Sequence, residues 1–282
     1  MNKLNLHGSG ERRLTFSQHL HGKYLAAQTL AGFMYHMSNW SEVWKAYRSA
    51  DPIPVPHLRN GMKLIYGPND DAIFSFREMF IGKPYTASGF YKPAANQTVI
   101  DIGANIGWFA LFLQSRAKGI AIHCFEPARP ALKCLRANVE ANGFGEFISI
   151  HPYAVAGSNG RAALARHPHS VERRLLNECE SAEGADVVET VTFERALAMT
   201  GAESVDLLKI DVEGAEVEIV AGSDIQSWRC VKRIALEYHE YLRPGCREAL
   251  VQALKQRGFG NIWVNPAEGH PEQGIMFASQ SG

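Results

Sequence analysis

The pattern of apolar and polar positions changes at about residue 98. From there on, apolar runs of strand length alternate with segments in which apolar residues recur every three or four positions, as in helices. The run ending at Gly103 precedes a helical segment to about Ala117, and the run ending at Glu126 precedes another from Pro130 to Gly143. Such repeated units predict an α/β fold with a mostly parallel sheet and helices on both faces. Later strands are predicted over residues 147–152, 187–193, 205–211, 231–238, 259–264 and 274–278, the last two as an antiparallel pair.

Residues 1–95 have a different pattern, and we expect them to form a helical extension before a second domain of residues 96–282. Apolar residues at positions 24, 27, 31 and 34 recur at helical steps and predict one buried helix face. Residues 62–66 and 72–76 flank a turn-like segment and predict a hairpin, with a strand followed by a helix as the alternative. The aromatic residues of this region are expected to form a core, with a lid over the strand ends as the functional alternative. The polar stretch 158–186 is predicted to contain an exposed loop.

Composition narrows the function classes. The 282 residues have a formal net charge of zero and no long basic block, so non-specific nucleic-acid binding is not expected. No apolar stretch is long enough to predict a membrane span. An odd number of cysteines without a C-x-x-C pair predicts free thiols in a reducing cytoplasm. These cysteines are Cys124, Cys134, Cys179, Cys230 and Cys246.

The segment from Asp101 to Gly107 predicts a strand, a tight turn and the start of a helix. Backbone N–H groups in this arrangement bind nucleotide-like ligands. The nicotinamide fingerprint requires a second glycine where this chain has Asn105, which argues against a pyrophosphate ligand. S-adenosylmethionine fits better, with its methionine part at Gly103, Ala104 and Asn105 and its ammonium group near Asp101.

The second strand ends in Glu126, where a carboxylate can accept hydrogen bonds from both ribose hydroxyls. The alternative is a purely structural role, in which Asp101 only caps the following helix and Glu126 is a surface acid before a turn. Because both acids lie at ends of predicted parallel strands, we favour the ligand-binding interpretation.

Two later strands also end in charged residues. Lys209 and Asp211 share one face of their strand, so they either pair or both face the cleft. Glu237 and His239 likewise share a face, and His239 is the best general-base candidate because its ordinary pKa is near neutrality. A structural role for the histidine stays open. Glu213 either stabilises the next helix or takes part in the chemistry.

Four motifs in this order resemble the FkbM family of S-adenosylmethionine-dependent methyltransferases. The resemblance covers residues 98 to 240 and implies a Rossmann-like sheet of seven strands with the last one antiparallel. It also implies methyl transfer to a hydroxyl oxygen of a natural product or a sugar. The motifs are Asp101-Ile-Gly-Ala-Asn-Ile-Gly107, Phe125-Glu-Pro127, Leu208-Lys-Ile-Asp-Val-Glu-Gly-Ala-Glu216 and Glu237-Tyr-His239.

The resemblance also implies further cofactor contacts. Pro127 follows the ribose acid, Ala154 matches the position expected near the adenine, and Tyr85 lies in a segment that precedes the core in many members. We count all three, together with Asp211, among the cofactor-binding residues. The chain departs from the family at residues 192–194, which read Thr-Phe-Glu where Thr-Leu-Asp is usual.

The implied reaction is an in-line displacement at a sulfonium methyl group, with His239 taking the acceptor proton and Glu237 or Asp211 orienting it. A divalent metal at Asp211, Glu213 and Glu237 is the alternative way to activate the acceptor. Two rival functions stay open: a nicotinamide-dependent oxidoreductase, and a non-catalytic cofactor-binding protein of the same fold. The partner is a hydroxyl-bearing small molecule whose identity the sequence does not give, and a homodimer is left open.

Overall fold

The computed structural model describes residues 16–49, 51–67, 72–165, 174–176, 184–267 and 269–280. Cys179 and the turn of the predicted hairpin, residues 68–71, lie outside the described residues. The chain divides into two compact units, one of Met1–Leu64 with Ala72–Gly82 and one of Ile65–Asp71 with Lys83–Gly282. Residues 83–95, which the sequence analysis assigned to the extension, therefore group with the unit that contains the sheet.

The first unit is helical around the fully buried ring of Phe33. It contains α1 (Phe16–His36), α2 (Trp40–Ser49), α3 (Ala72–Phe76) and a π-helical segment, Arg77–Gly82. Edge-to-face and tilted ring contacts surround Phe33, which is the arrangement that aromatic quadrupoles favour. The rings in contact with it, at centroid distances of 5.9 to 6.3 Å, belong to Trp44, Tyr47 and Phe76.

The predicted buried face of α1 is wrong. Tyr24 and Met34 are 63% and 47% exposed, whereas Thr29, Phe33 and Met37 are buried. Both sets recur at helical spacing, so the pattern alone does not choose between them. The choice is made by the packing of Phe33 against the aromatic rings of α2 and α3.

The predicted hairpin is also wrong in both arms, because residues 62–66 form no strand and residues 72–76 form the helix α3. Of the alternative, a strand followed by a helix, only the helix is observed. Ile73, Phe76 and Phe80 are spaced by three and four residues and are all buried. Phe76 and Phe80 stack with ring centroids 4.9 Å apart. A helix places these side chains on one side, whereas a strand would place Ile73 and Phe76 on opposite faces.

The second unit contains the predicted seven-stranded sheet. Its strands are confirmed to run parallel, except for the last strand of the chain, which runs antiparallel to both of its neighbours. The strands of this unit are β1 (Thr98–Ile102), β2 (Ala121–Phe125), β3 (Ile148–His151), β4 (Ala154–Val155), β5 (Gly160–Leu164), β6 (Asp186–Val191), β7 (Leu207–Ile210), β8 (Arg233–His239), β9 (Asn261–Ala267) and β10 (His270–Ser279). The large sheet has the order β3-β2-β1-β7-β8-β10-β9.

A small second sheet adds a strand within residues 158–186, the stretch that is predicted to contain an exposed loop. It has the order β4-β6-β5, and Gly160–Leu164 pairs antiparallel with β6 inside that stretch. The strand has glycine, arginine and two alanines in its first four positions, so it lacks the β-branched residues that indicate strands from sequence.

Helices cover the strands of the large sheet, so β7 is buried at every position. The first helix after β1 is itself buried from Trp108 to Gln114. Its mostly apolar sequence therefore lacks the polar face of a surface helix. The helices of this unit are α4 (Trp108–Arg116), α5 (Arg129–Ala141), α6 (Phe193–Thr200), α7 (Glu216–Gly222) and α8 (Cys246–Gln256), with 3-10 turns at Pro84–Gly89 and Gln226–Cys230.

The described cysteines are free thiols, as predicted: Cys124, Cys134, Cys230 and Cys246. Within the described residues, no helix combines the length and the apolar character that crossing a membrane requires.

The close approach of β1 to β7 generates a stability prediction. A Cβ atom on Gly103 would lie 1.7 Å from the backbone oxygen of Asp211, whereas a Cβ on Gly143 would meet nothing within 4 Å. Both glycines have a left-handed backbone, with φ of 78° and 67°. Gly143→Ala is therefore expected to cost about 1 to 2 kcal/mol from backbone strain alone. Gly103→Ala is expected to cost about 1 to 3 kcal/mol more, from overlap with backbone atoms that cannot move aside easily. Urea unfolding of the two variants measures the difference, and equal losses would contradict the packing role of Gly103.

Candidate functional site

The turn after β1 is shaped by three left-handed residues. Gly103, Asn105 and Gly107 have φ of 78°, 48° and 85°, values that glycine and asparagine tolerate best. The N–H groups of Gly103 and Ala104 both donate to the carbonyl of Phe125 at 3.0 Å, which joins the turn to the end of β2. The left-handed region thus explains why asparagine is accepted where the dinucleotide fingerprint has glycine.

Glu126 binds the same turn. Its Oε2 accepts a hydrogen bond from the N–H of Asn105 and its Oε1 one from the N–H of Ala128, both at 2.8 Å. The side chain of Glu126 is buried, so Glu126 is not a surface acid before a turn, which was the alternative to ligand binding. A carboxylate has about four acceptor positions, and these two hydrogen bonds use one on each oxygen. Pro127 and Ala128 lead from this acid directly into α5.

Lys209 lies at the centre of the site. It is fully buried on β7, opposite Asp101 in the strand register. Its Nζ lies 3.0 Å from Asp101 Oδ1 and 3.4 Å from Asp211 Oδ2, and it donates to the carbonyl of Gly103 at 2.7 Å. Burial alone would lower the pKa of Lys209, but Asp101 and Asp211 outweigh that effect and raise it. The ammonium therefore stays charged, and the predicted pairing of Lys209 with Asp211 is observed.

The position of Asp101 differs from the expectation in one respect. The ammonium of Lys209 lies beside Asp101, at the place where the ammonium of a ligand was expected from the sequence. Burial raises the pKa of Asp101, and Lys209 opposes this shift. Apart from that ion pair, neither oxygen of Asp101 accepts a hydrogen bond from the described residues. Asn105 Oδ1 and Trp108 Nε1 are also buried and lack a partner there. Since buried polar groups are nearly always paired, these atoms indicate a polar ligand at the turn.

A group of charged side chains, which we call the acceptor cluster, lies beyond the ends of β7 and β8. It consists of Asp211, Glu213, Glu216, Glu237 and His239. His239 is 2% exposed, and its Nδ1 lies 2.9 Å from Glu216 Oε1. Its Nε2 lies 3.4 Å from Glu213 Oε2 and 3.9 Å from Glu237 Oε1. The predicted residues of the two strands are therefore brought together.

Charge around His239 changes its expected protonation. Burial alone would lower the pKa of His239, but Glu216, Glu213 and Asp211 more than offset it and raise that pKa to about 10. Burial and Asp211 raise the pKa of Glu213 to about 7, against the influence of His239. In this arrangement the imidazole keeps its proton at neutral pH, a state that does not suit the general base expected from the sequence.

Tyr85 reaches the acceptor cluster from the 3-10 turn Pro84–Gly89. Its hydroxyl lies 2.9 Å from Asp211 Oδ2 and 3.0 Å from Glu237 Oε2. The ring is 1% exposed and packs edge-on against Phe109, with centroids 5.3 Å apart. Tyr85 thus bridges two carboxylates of the cluster, whereas the resemblance placed it with the cofactor.

One residue of the site was missed as a functional candidate, and another was recognised only in part. Glu216 holds Nδ1 of His239, although the sequence presents it only as one more acid in a Glu-rich segment. Lys209 was recognised as a possible partner of Asp211, but its contact with the turn was not. Ala154, the expected adenine neighbour, is buried at the start of β4. Among the described residues, the group with metal-ligand atoms all within 4.8 Å of one another is Asp211, Glu237 and His239, so His239 takes the place expected for Glu213.

A sheet of this order, with a glycine turn after β1 and an antiparallel last strand, defines the class of Rossmann-like methyltransferases. A family profile described as Methyltransferase FkbM domain matches residues 101–259, which is more than half of the chain. The chain therefore belongs to the FkbM methyltransferase domain family, and its predicted membership is confirmed.

Curated relatives agree with this assignment. The 31-O-demethyl-FK506 methyltransferase FkbM of Streptomyces tacrolimicus is 27% identical over 237 residues, which cover 74% of this chain and 90% of that protein. Methyltransferase sdnD of Sordaria araneosa is 26% identical, with 74% and 90% covered. The AMB antimetabolite synthetase AmbE of Pseudomonas aeruginosa is 29% identical over 73% of this chain. That match spans only 11% of AmbE, so the chain corresponds to a small part of the longer protein.

The buried ion pair of Lys209 generates a prediction with a matched control. Lys209→Met leaves Asp101 buried without its counter-charge, and we expect a loss of about 3 to 5 kcal/mol in the free energy of unfolding. Lys232→Met removes a pair with Asp206 whose lysine side chain is 53% exposed, and a loss of about 0 to 1 kcal/mol is expected. The double variant Lys209→Met with Asp101→Asn should recover part of the first loss. Chemical denaturation measures all three, and similar losses for the two lysine variants would contradict the central role of Lys209.

Proposed function

We propose that this chain transfers a methyl group from S-adenosylmethionine to a hydroxyl oxygen of a small molecule. The observation that carries this proposal is the position of Lys209. One ammonium group contacts the turn through the Gly103 carbonyl and the acceptor cluster through Asp211. A donor bound at the turn and an acceptor bound at the cluster would therefore meet at one edge of the sheet, where ligands of such folds bind.

The polar atoms at the turn fit the proposed donor. S-adenosylmethionine carries an ammonium, a carboxylate and two ribose hydroxyls, for which the amide oxygen of Asn105 offers an acceptor and the indole N–H of Trp108 a donor. We assign the methionine part to Gly103, Ala104 and Asn105, with Gly107 allowing α4 to start close by. We assign the ribose to Glu126 and the adenine to the neighbourhood of Pro127 and Ala154.

The bound donor supplies an electrophilic methyl group on a sulfonium, so an oxygen–carbon bond forms as the carbon–sulfur bond breaks. The acceptor hydroxyl must be aligned and must lose its proton. The hydroxyl of Tyr85 shows that a hydroxyl group fits against Asp211 and Glu237. We propose that an acceptor hydroxyl binds to these carboxylates beside the hydroxyl of Tyr85 and that its proton passes to a carboxylate of the acceptor cluster. His239, held by Glu216, positions the facing carboxylates.

The relatives support methyl transfer to a hydroxyl group of a small molecule. The name of the Streptomyces protein states a substrate that lacks one O-methyl group. Family membership and Asn105 in the turn disfavour the nicotinamide-dependent oxidoreductase. The number of carboxylates at the cluster, with a hydroxyl already hydrogen-bonded to two of them, disfavours a protein that only binds the cofactor.

Ligand-dependent stability tests the choice of cofactor. A ligand that binds only the folded state stabilises it by about 2.7 kcal/mol when present at 100 times its Kd. S-adenosylhomocysteine is expected to raise the Tm of the full chain by several degrees, and NAD is expected to leave it unchanged. Glu126→Gln should reduce the rise, whereas Glu140→Gln, an exposed change on α5, should not. A rise with NAD alone would overturn the proposed cofactor.

Turnover tests the proposed acceptor side. Glu237→Gln keeps the side-chain volume but removes a carboxylate, and we expect kcat to fall by about 100-fold or more. Binding of S-adenosylhomocysteine should stay unchanged, because Glu237 is assigned to the acceptor side, where it contacts Tyr85 and His239. The measurement is methylated product by mass spectrometry, with an acceptor found in a screen of hydroxylated compounds. The control is Glu272→Gln, an exposed acid on β10. Turnover of Glu237→Gln close to that of the unmodified chain would refute this assignment.

A further inference from the structure

The two ring nitrogens of His239 have different surroundings. Nδ1 is held by Glu216, whose own side chain is 1% exposed. Nε2 points toward the carboxylates of Glu213 and Glu237, but their nearest oxygens lie at 3.4 Å and 3.9 Å, beyond normal hydrogen-bond length. A buried imidazole with one nitrogen fixed by a carboxylate and the other turned toward further carboxylates is the arrangement that metal-binding histidines have.

Carboxylate oxygens of Asp211 and Glu237 complete a set of metal ligands with His239. One ligand atom each from Asp211, Glu237 and His239 lie within 4.8 Å of one another. Ligands of an octahedral cation of Mg²⁺ size are separated by about 3 Å, so a small inward movement would close the set. The side chains of Asp211 and Glu237 are 24% and 20% exposed, so a hydrated cation can reach their oxygens.

The charge of the site is unbalanced in the direction that attracts a cation. The contacts described above bring five carboxyl groups together with only two cationic side chains. Nearby like charges in a partly buried site repel one another strongly unless a counter-ion is present. The acids are Asp101, Asp211, Glu213, Glu216 and Glu237, and the cationic side chains are Lys209 and His239.

We propose that Asp211, Glu237 and Nε2 of His239 bind one divalent cation, which takes the place of the proton on Nε2, while Glu216 orients the imidazole through Nδ1. Two carboxylates with one imidazole suit Mn²⁺ or Mg²⁺ better than a soft metal. This ligand set replaces the one expected from the sequence, which had Glu213 instead of His239.

The proposed cation defines a class of acceptor, and this step rests on the proposed function. Three protein ligands leave about three positions of an octahedral ion for oxygens of water or substrate. The acceptor class that fits is a compound with a hydroxyl and a second oxygen on the neighbouring carbon, because both oxygens can coordinate together. The cation then holds the acceptor hydroxyl in place and favours loss of its proton.

Manganese binding tests the site without any acceptor. The full chain is treated with a chelator and titrated with Mn²⁺, and free Mn²⁺ is measured by electron paramagnetic resonance. We expect one bound Mn²⁺ per chain, and at least tenfold weaker binding for Glu237→Gln and for His239→Asn. Glu216→Gln should weaken binding by about tenfold or more, as changes behind a ligating histidine do. The matched controls Glu272→Gln and His270→Asn alter exposed side chains on β10 and should bind as tightly as the unmodified chain.

A spectroscopic signature separates the two ligand sets. Electron spin-echo modulation of the bound Mn²⁺ should show a directly coordinated nitrogen in the unmodified chain. Absence of saturable binding, absence of that nitrogen, or its persistence in His239→Asn would overturn the proposal. S-adenosylhomocysteine should still raise the Tm of the chelated variants. Loss of the metal site with retained cofactor binding would thus leave the methyltransferase proposal intact, whereas loss of the cofactor response would count against that proposal.

Discussion

The buried ammonium of Lys209 is the interaction on which the rest of the site depends. It neutralises Asp101 on β1, contacts Asp211 beyond β7 and fixes the carbonyl of Gly103 in the turn. Burying a charge is costly unless it is paired and hydrogen-bonded, and Lys209 meets both conditions. Gly103 also lies against the backbone of Asp211 at this point. The turn and the acceptor cluster are therefore joined rigidly here.

The arrangement of the acceptor cluster depends on this contact between the turn and Asp211. Asp211 is fixed on one side by Lys209 and on the other by the hydroxyl of Tyr85. The remaining acids lie where two adjacent parallel strands end, and their negative charge is not matched by the cationic side chains. This excess raises the pKa of His239, and it favours the cation that we propose for the cluster.

Much of the fold followed from the sequence, because apolar strands that end in acids leave those acids at one edge of a parallel sheet. Asp101, Glu126, Asp211 and Glu237 were placed there for this reason. The buried face of α1 was not predictable, since two faces had helical spacing and the packing of Phe33 decided between them. The protonation of His239 was equally hidden, because it depends on Glu216, which reaches the imidazole only in the folded chain. The resemblance to a family added the reaction class, which neither spacing nor composition contains.

Methyl donor and hydroxyl acceptor are expected to bind at a single edge of the large sheet. The most direct measurement is a crystal structure of the full chain with S-adenosylhomocysteine. The homocysteine moiety should lie against Gly103, Ala104 and Asn105, the ribose hydroxyls on Glu126, and the sulfur should face Asp211 and Glu237. A ligand bound away from this edge, or bound with its sulfur turned away from the acceptor cluster, would contradict the proposed site.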